Sequence, residues 1–232
     1  MKAILFDLGG TLVNYYDMAE FPRILEQAIS EVQLYLDAKH LLKVTPELIR
    51  LRVKQEDHES VDYCSRPLEE RLTRIFGLEA SVATDELLME VCKRFMKPIF
   101  ARGRCYEDTL PALAGLRSRG FRIAIVSNTS WGSPAFLWRS EIRRLGLESY
   151  TNAVVFDRDV GWRKPSKTIF EFAMKILGAL PGDCFFVGDE PKWDLMGPRA
   201  VGMEAILIDR KGSNVEEHEE TIRGLNELIL KL

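Results

Sequence analysis

The sequence predicts an α/β fold, in which a doubly wound parallel (Rossmann-like) sheet core is interrupted by an inserted all-α region. Three features of the 232-residue chain support this prediction. Short apolar segments rich in Ile, Val and Phe recur, as is typical of buried parallel strands. From residue 108 onward these segments alternate with amphipathic helical patterns. Between about residues 15 and 105 only helical patterns occur.

Five segments have the length and composition of buried strands, and most end at a polar or acidic residue or a glycine. They are AILF (3–6), FRIAIVS (121–127), AVVF (153–156), CFFVG (184–188) and AILID (205–209). Between them, residues 108–120 and 166–178 have apolar positions at helical spacing. We expect the second helix to begin after Ser166, as its N-cap, and to stop at Gly178.

Four further amphipathic helices are predicted between the first and second strands, several of them beginning at Thr, Pro or acidic residues. They are FPRILEQAISEVQLYLDAKHLLK (21–43), TPELIRLRVKQEDHES (45–60), PLEERLTRIFG (67–77) and TDELLMEVCKRFMKPIF (84–100). We therefore expect residues 1–14 and 106–232 to form the α/β core, and residues 15–105 to form a separate helical domain.

Composition narrows the function classes. The net charge of −3 and the dispersed Lys and Arg residues predict no affinity for nucleic acid or for an anionic membrane. No apolar segment approaches the ~20 residues that span a bilayer, and MKAILFD does not resemble a secretory signal. The four cysteines have no metal-like or disulfide-like spacing. We expect a cytoplasmic protein with a small-molecule ligand; the sequence does not indicate whether it is a monomer or a homodimer.

Chemically functional residues follow successive predicted strands. In open α/β sheets the ligand site lies beyond the carboxyl ends of the strands, so these side chains are expected to share one site. In chain order they are Asp7, Thr11, Ser127, Asn128, Lys164, Asp189 and Asp194.

This set of residues suits phosphoryl transfer. The carboxylates of Asp7 and Asp189 can hold a hard cation such as Mg²⁺ through oxygen. Hydroxyl groups at Thr11 and Ser127 can donate to phosphate oxygens, and Lys164 supplies a positive charge for a developing oxyanion. A carboxylate such as Asp7 can also attack phosphorus and form an aspartyl-phosphate.

The four segments that carry these residues resemble the four motifs of the haloacid dehalogenase-like (HAD) hydrolase superfamily. FDLGGTL resembles the first motif, IVSN the second, VGWRKPS the third and VGDEPKWD the fourth. The resemblance covers residues 1–14 and about 106–210. The helical region lies where the superfamily carries its C1-type cap, between the first and second motifs.

The resemblance implies a role for each position. Asp7 is expected to be the nucleophile and a Mg²⁺ ligand, and the Gly9 backbone carbonyl a second ligand. Asp189 is expected to bind the metal directly, and Asp194 to bind it through water or to orient Lys164. Thr11 is expected to stabilise the first-motif loop. Ser127 and Asn128 are expected to contact the phosphoryl group, and Lys164 is expected to bridge the phosphate and Asp7.

Position 9 departs from the family pattern, because phosphatases of the superfamily usually have Asp there. That Asp protonates the leaving oxygen and later activates water. Such general acid–base catalysis accelerates a reaction by ~10²–10⁴-fold. Its absence predicts a preference for good leaving groups, such as acyl or aryl phosphates, and slow dephosphorylation of Asp7. Neighbours that could take over the role are Tyr15, Tyr16, Asp17 and Glu190.

Two alternatives to a Mg²⁺-dependent phosphatase stay open. One is a 2-haloacid dehalogenase-type hydrolase, a metal-free branch of the same superfamily that also lacks the second Asp. The dipeptide Trp193–Asp194 resembles the dehalogenase pattern, but Asp189 argues for a metal, and Arg23 is the only early arginine to hold a substrate carboxylate. The other is a HAD-like protein that is catalytically weakened at Gly9.

Overall fold

A computed structural model describes residues 2–56, 61–212 and 220–231. Its strands are β1 (Ala3–Phe6), β2 (Val13–Asn14), β3 (Arg104–Cys105), β4 (Arg122–Ser127), β5 (Ala153–Phe156), β6 (Cys184–Gly188), β7 (Glu204–Ile208) and β8 (Thr221–Ile222). Six strands form one sheet in the order β5-β4-β1-β6-β7-β8, and every pairing in it is parallel. Strands β2 and β3 form a separate antiparallel ribbon.

The described helices are α1 (Phe21–Ala38), α2 (Pro46–Gln55), α3 (Leu68–Phe76), α4 (Asp85–Phe100), α5 (Thr109–Ser118), α6 (Ala135–Arg144), α7 (Asp157–Val160), α8 (Lys167–Leu177), α9 (Met196–Ala200) and α10 (Leu225–Lys231). Single 3₁₀ turns occupy residues 18–20, 130–132, 148–150 and 181–183, and residues 191–195 form one π-helical turn. Within the described ranges, no helix is both long and apolar enough to cross a membrane.

The central strand β1 is buried on both faces, which explains its uninterrupted apolar sequence. Side chains alternate between the faces of a strand. Ile4 and Phe6 belong to one hydrophobic cluster, while Ala3 and Leu5 belong to a second cluster on the α8 side. Helices thus cover both faces of a parallel sheet, and the predicted fold class is confirmed.

The predicted strands at 3–6, 153–156 and 184–188 have the observed bounds, and the other two differ by one residue. The short strands β2, β3 and β8 were not predicted, because two residues are too few to show a periodic pattern. Residues 57–60 of the predicted 45–60 helix lie outside the described residues.

The predicted 21–43 helix is too long, since α1 ends at Ala38. His40 adopts a left-handed conformation with φ of 57°, and the Leu41 amide donates back to the Leu36 carbonyl. This closure resembles a C-terminal cap made with His in place of the usual Gly. The sequence therefore lacked the glycine signal that marks a helix end.

Helices α1 to α4 all lie between residues 21 and 100. The β2–β3 ribbon joins the two ends of this helical insert, with Val13 opposite Cys105. One hydrophobic cluster contains Ile4 and Phe6 of the sheet together with Phe76 and Phe95 of the insert. The insert is therefore packed against the core, and its independence as a domain stays a prediction.

Candidate active site

A cavity of about 530 Å³ lies beside the ends of β1, β4 and β6. Most of the residues predicted for the site line it, namely Asp7, Gly9, Ser127, Asn128, Lys164, Asp189 and Asp194. Thr11 does not line the cavity; it is fully buried, and its hydroxyl lies 3.5 Å from an oxygen of Asp189. The structure thus brings the predicted residues into one region.

Strand register explains this convergence. Phe6 of β1 pairs with Ile125 of β4 and with Val187 of β6, so the three strands end at the same edge of the sheet. Asp7 directly follows Phe6, and its amide donates to the Val187 carbonyl at 2.9 Å. Residues that are distant in sequence therefore meet at this edge.

Lys164 connects two of the carboxylates. Its ammonium nitrogen lies 2.5 Å from Oδ1 of Asp7 and 2.6 Å from Oδ1 of Asp194, and its side chain is only 3% exposed. Burial lowers the pKa of Lys164, but the negative charges of Asp194 and Asp7 outweigh that effect and leave it raised. The lysine is therefore held as a cation between two acids.

Asp7, Asp189 and Asp194 form an acidic triad, with ligand oxygens within 4.8 Å of one another. Burial, followed by the charges of Asp7 and Asp194, raises the pKa of Asp189 to about 8. Burial also raises the pKa of Asp194, to about 6, although Lys164 acts in the opposite direction. Closely spaced carboxylate oxygens are the donor set that Mg²⁺ prefers, so the triad can hold a divalent cation.

Asp194 lies in the π-helical turn, a feature often found at functional sites. While one of its oxygens accepts from Lys164, the other accepts a hydrogen bond from the Glu190 amide at 3.0 Å. These bonds orient the carboxylate toward Lys164, and the N-cap position of α9 is occupied by Leu195, so Asp194 does not act as an N-cap of that helix.

The side chain of Asn128 contacts the backbone of Lys164. Its Oδ1 accepts from the Lys164 amide at 2.8 Å, and its Nδ2 donates to the Lys164 carbonyl at 3.3 Å. This pair of hydrogen bonds fixes the loop that carries the lysine. The contact of Asn128 with a phosphoryl group stays a prediction, and the geometry gives its side chain a positioning role.

Two polar residues of this region, one buried and one partly buried, were missed in the sequence. Asp157 is fully buried at the end of β5, where it accepts from the Thr129 amide at 2.7 Å. Arg210 donates to both carboxylate oxygens of Asp108 and to the Thr11 carbonyl. Both residues follow predicted strands closely, so the strand-end rule that selected Asp7 could also have selected them.

The four residues that could supply the acid missing at position 9 differ in their location relative to the cavity. Tyr15, Tyr16 and Glu190 line the cavity, whereas the exposed Asp17 pairs with Lys211. The Tyr15 ring lies 3.7 Å from the place where a Cβ at position 9 would stand. Its hydroxyl is buried without a hydrogen-bond partner among the described residues, and burial raises its pKa well above the usual value.

Comparisons with known proteins agree with this architecture. A family model of haloacid dehalogenase-like hydrolases matches residues 1–202. The glyceraldehyde 3-phosphate phosphatase of Methanothermobacter thermautotrophicus is 27% identical over 230 residues, which cover 99% of this chain and 95% of that protein.

Two solved structures are also similar. A HAD phosphatase from Thermococcus onnurineus is 26% identical with a TM-score of 0.66, covering 98% of this chain and 96% of that one. A 2-haloacid dehalogenase from Pseudomonas syringae pv. Tomato DC3000 is 22% identical with a TM-score of 0.73, covering 100% and 98%. The second likeness is evidence for the fold alone. Because the family model spans most of the chain, this protein belongs to the haloacid dehalogenase-like hydrolases and is a hydrolase.

Proposed function

We propose that this protein is a Mg²⁺-dependent phosphohydrolase that acts on a small phosphorylated metabolite through an aspartyl-phosphate on Asp7. The observation that carries the proposal is the position of Lys164, between Asp7 and Asp194 and beside Asp189. The relative from M. thermautotrophicus, named as a phosphatase, supports the same reaction class.

Asp7, Asp189 and Asp194, with the backbone carbonyl of Gly9, are the groups that would hold Mg²⁺ in this proposal. The cation would supply positive charge that offsets the repulsion between the carboxylates and an incoming phosphate. Asp194 and Asn128 would orient Lys164, whose ammonium group would contact both Asp7 and a phosphate oxygen.

The reaction would proceed in two steps at Asp7. One Asp7 carboxylate oxygen attacks phosphorus, the bond from phosphorus to the leaving oxygen breaks, and the alcohol departs as its anion or takes a proton from water. Water then attacks the aspartyl-phosphate, inorganic phosphate leaves, and the carboxylate is regenerated. Lys164 and the Ser127 hydroxyl would stabilise negative charge on the transferring group during both steps.

Gly9 determines which substrates this site would hydrolyse well. Without a carboxyl group there, leaving groups that depart unprotonated are favoured, such as acyl or aryl phosphates. Tyr15 would stay protonated because burial raises its pKa, so it would act as a hydrogen-bond donor and not as a base. Slow hydrolysis of the aspartyl-phosphate would then limit turnover.

The helical insert would act as a C1-type cap over the cavity and would select the substrate. Residues of the insert and of the segment leading to it line the cavity, among them Tyr15, Tyr16, Met18 and Ile99. Arg23, the arginine that a dehalogenase would need, is exposed and does not line the cavity. This placement counts against the dehalogenase alternative.

The proposal is tested with p-nitrophenyl phosphate and acetyl phosphate, each with Mg²⁺ or with EDTA. We expect Mg²⁺-dependent hydrolysis that Asp7→Asn abolishes and that Asp37→Asn, a matched change on the exposed surface of α1, leaves intact. An initial burst of nitrophenolate and a phosphorylated peptide containing Asp7 are expected when dephosphorylation is slow. Metal-independent chloride release from 2-chloropropionate would instead establish the dehalogenase alternative, and no hydrolysis at all would support a catalytically weakened protein.

A further inference from the structure

A short segment of the helical insert, residues 62–66, crosses the chain just before Lys164; we call it the strap. The Arg163 amide donates to the Tyr63 carbonyl at 2.8 Å, and the Ser65 amide donates to the Gly161 carbonyl at 2.9 Å. These main-chain hydrogen bonds join the insert to the loop that carries the lysine.

The Ser65 side chain extends this connection into the core. Its hydroxyl donates to Oδ2 of Asp157 at 2.6 Å, while Oδ1 of the same carboxylate accepts from the Thr129 amide at 2.7 Å. Asp157 is fully buried and directly follows β5. A single carboxylate therefore links the insert to the loop that begins at Ser127.

The strap also packs directly on that loop. Gly132 has a φ of 69°, and a Cβ there would lie 1.8 Å from the Arg66 carbonyl oxygen. Only a glycine lets the two backbones approach so closely. The loop from Ser127 to Gly132 thus contacts the strap through the Asp157 carboxylate at one point and through backbone packing at another.

We propose that Asp157 is a positioning residue, which aligns the Ser127–Thr129 loop for phosphoryl transfer only while Ser65 of the strap is hydrogen-bonded to it. The inference rests on the proposed function. A buried carboxylate needs its hydrogen bonds, because an unsatisfied charge is costly in the protein interior. When the strap leaves, water replaces the Ser65 hydroxyl, and the Asp157 carboxylate is no longer held in place by the insert. The Thr129 amide, which is hydrogen-bonded to that carboxylate, then loses its fixed position. The Ser127–Thr129 loop is therefore aligned only when the strap of the helical insert is docked on it.

Kinetics of Ser65 variants test the link on p-nitrophenyl phosphate. Ser65→Ala removes the hydroxyl, and kcat is expected to fall roughly tenfold or more with KM changed less than about twofold. Ser65→Thr keeps the hydroxyl and should restore kcat. The control is Ser140→Ala on α6, an exposed serine whose hydroxyl donates to the Phe136 carbonyl of its own helix at 3.0 Å; it should leave kcat unchanged.

Variants at Asp157 separate positioning from simple loss of structure. Asp157→Asn can still accept from the Thr129 amide and can donate to Ser65, so it should retain most activity. Asp157→Ala should lose as much as Ser65→Ala or more, and the double Ala variant should be no worse than Asp157→Ala alone. Independent, multiplicative losses in the double variant would overturn the proposal.

Amide hydrogen exchange gives a readout that does not depend on the reaction. Ser65→Ala is expected to accelerate exchange at Thr129 by roughly tenfold while β1 keeps its protection. Faster exchange in the strap with no change at residues 127–131 would refute the link. If the wild-type protein hydrolysed no phosphate ester, the proposed function would fail, and the exchange result would still decide whether Asp157 connects strap and loop.

Discussion

Removal of divalent cations is expected to make the stability of this protein fall as the pH rises. Burial and the neighbouring charges of Asp7 and Asp194 raise the pKa of Asp189 to about 8 in the folded state. In the unfolded chain an Asp carboxyl titrates near ~3.9. Between these two values the folded protein binds the proton more tightly. Protonation therefore stabilises the fold at low pH, and that stabilisation is lost as the pH approaches 8.

The magnitude follows from the width of this window. Each group contributes about 1.4 kcal/mol per pH unit between its unfolded and folded pKa values. For Asp189 the window spans roughly four units, which amounts to roughly 6 kcal/mol. Asp194, with its pKa raised to about 6, adds to the slope at the acidic end. Since domains are stable by ~5–15 kcal/mol, the effect is large enough to measure.

Mg²⁺ should partly offset this loss of stability, because it binds the ionised carboxylates and competes with protons. At a concentration of about 100 times its Kd, a ligand stabilises the folded state by about 2.7 kcal/mol. That gain should be nearly complete at pH 8 and much smaller at pH 5, where Asp189 carries a proton. The benefit of the cation should therefore increase with pH.

Urea denaturation at pH 5, 6, 7 and 8, with EDTA or with Mg²⁺, measures both effects. Asp189→Asn keeps the side-chain volume but cannot ionise, so subtracting its profile isolates this one group. Asp183→Asn, at the opposite end of β6, is the matched control and should keep the wild-type profile. The reasoning would be refuted if, in EDTA, the difference in free energy of unfolding between the wild type and Asp189→Asn did not vary with pH. It would also be refuted if Mg²⁺ stabilised the wild type equally at pH 5 and at pH 8.

Three glycine substitutions give further tests. Gly9→Asp should fold, since its Cβ would meet only an aromatic ring at 3.7 Å, and should raise kcat/KM for alkyl phosphates roughly tenfold or more in steady-state assays. Gly10→Ala should abolish the Mg²⁺ effect in urea denaturation, because φ is 76° and the new Cβ would lie 2.0 Å from an Asp189 oxygen. Gly132→Ala should displace the strap and accelerate amide exchange across residues 62–66, whereas unchanged exchange would contradict that packing.

The site could be predicted from sequence because the signals are local. Uninterrupted apolar runs identify β1 and β6, and parallel pairing then requires Asp7 and Asp189 to lie at one edge of the sheet. Where the placement of a residue depends only on strand order and position, the sequence is sufficient to predict it.

Orientation is what the sequence could not provide. The contact of Asn128 with a phosphoryl group stays a prediction, whereas the two hydrogen bonds from its side chain to the Lys164 backbone could not be predicted from the sequence. Asp157 was not selected as a site residue, and its hydrogen bond to Ser65, which is 92 residues away, could not be predicted from a local pattern. Such roles arise from tertiary contacts between segments with no shared pattern.

Charge balance within the site favours a metal-dependent reaction over a metal-free one. The triad carries three negative charges when ionised, and Lys164 supplies one positive charge among them. At a separation of 4.8 Å, two unit charges repel by roughly 3 kcal/mol at an effective dielectric constant of ~20. A phosphate monoester adds nearly two more negative charges at neutral pH. A divalent cation offsets this excess when the carboxylates are ionised, whereas in a metal-free dehalogenase Asp189, whose pKa is raised to about 8, would have to stay protonated beside the anionic substrate.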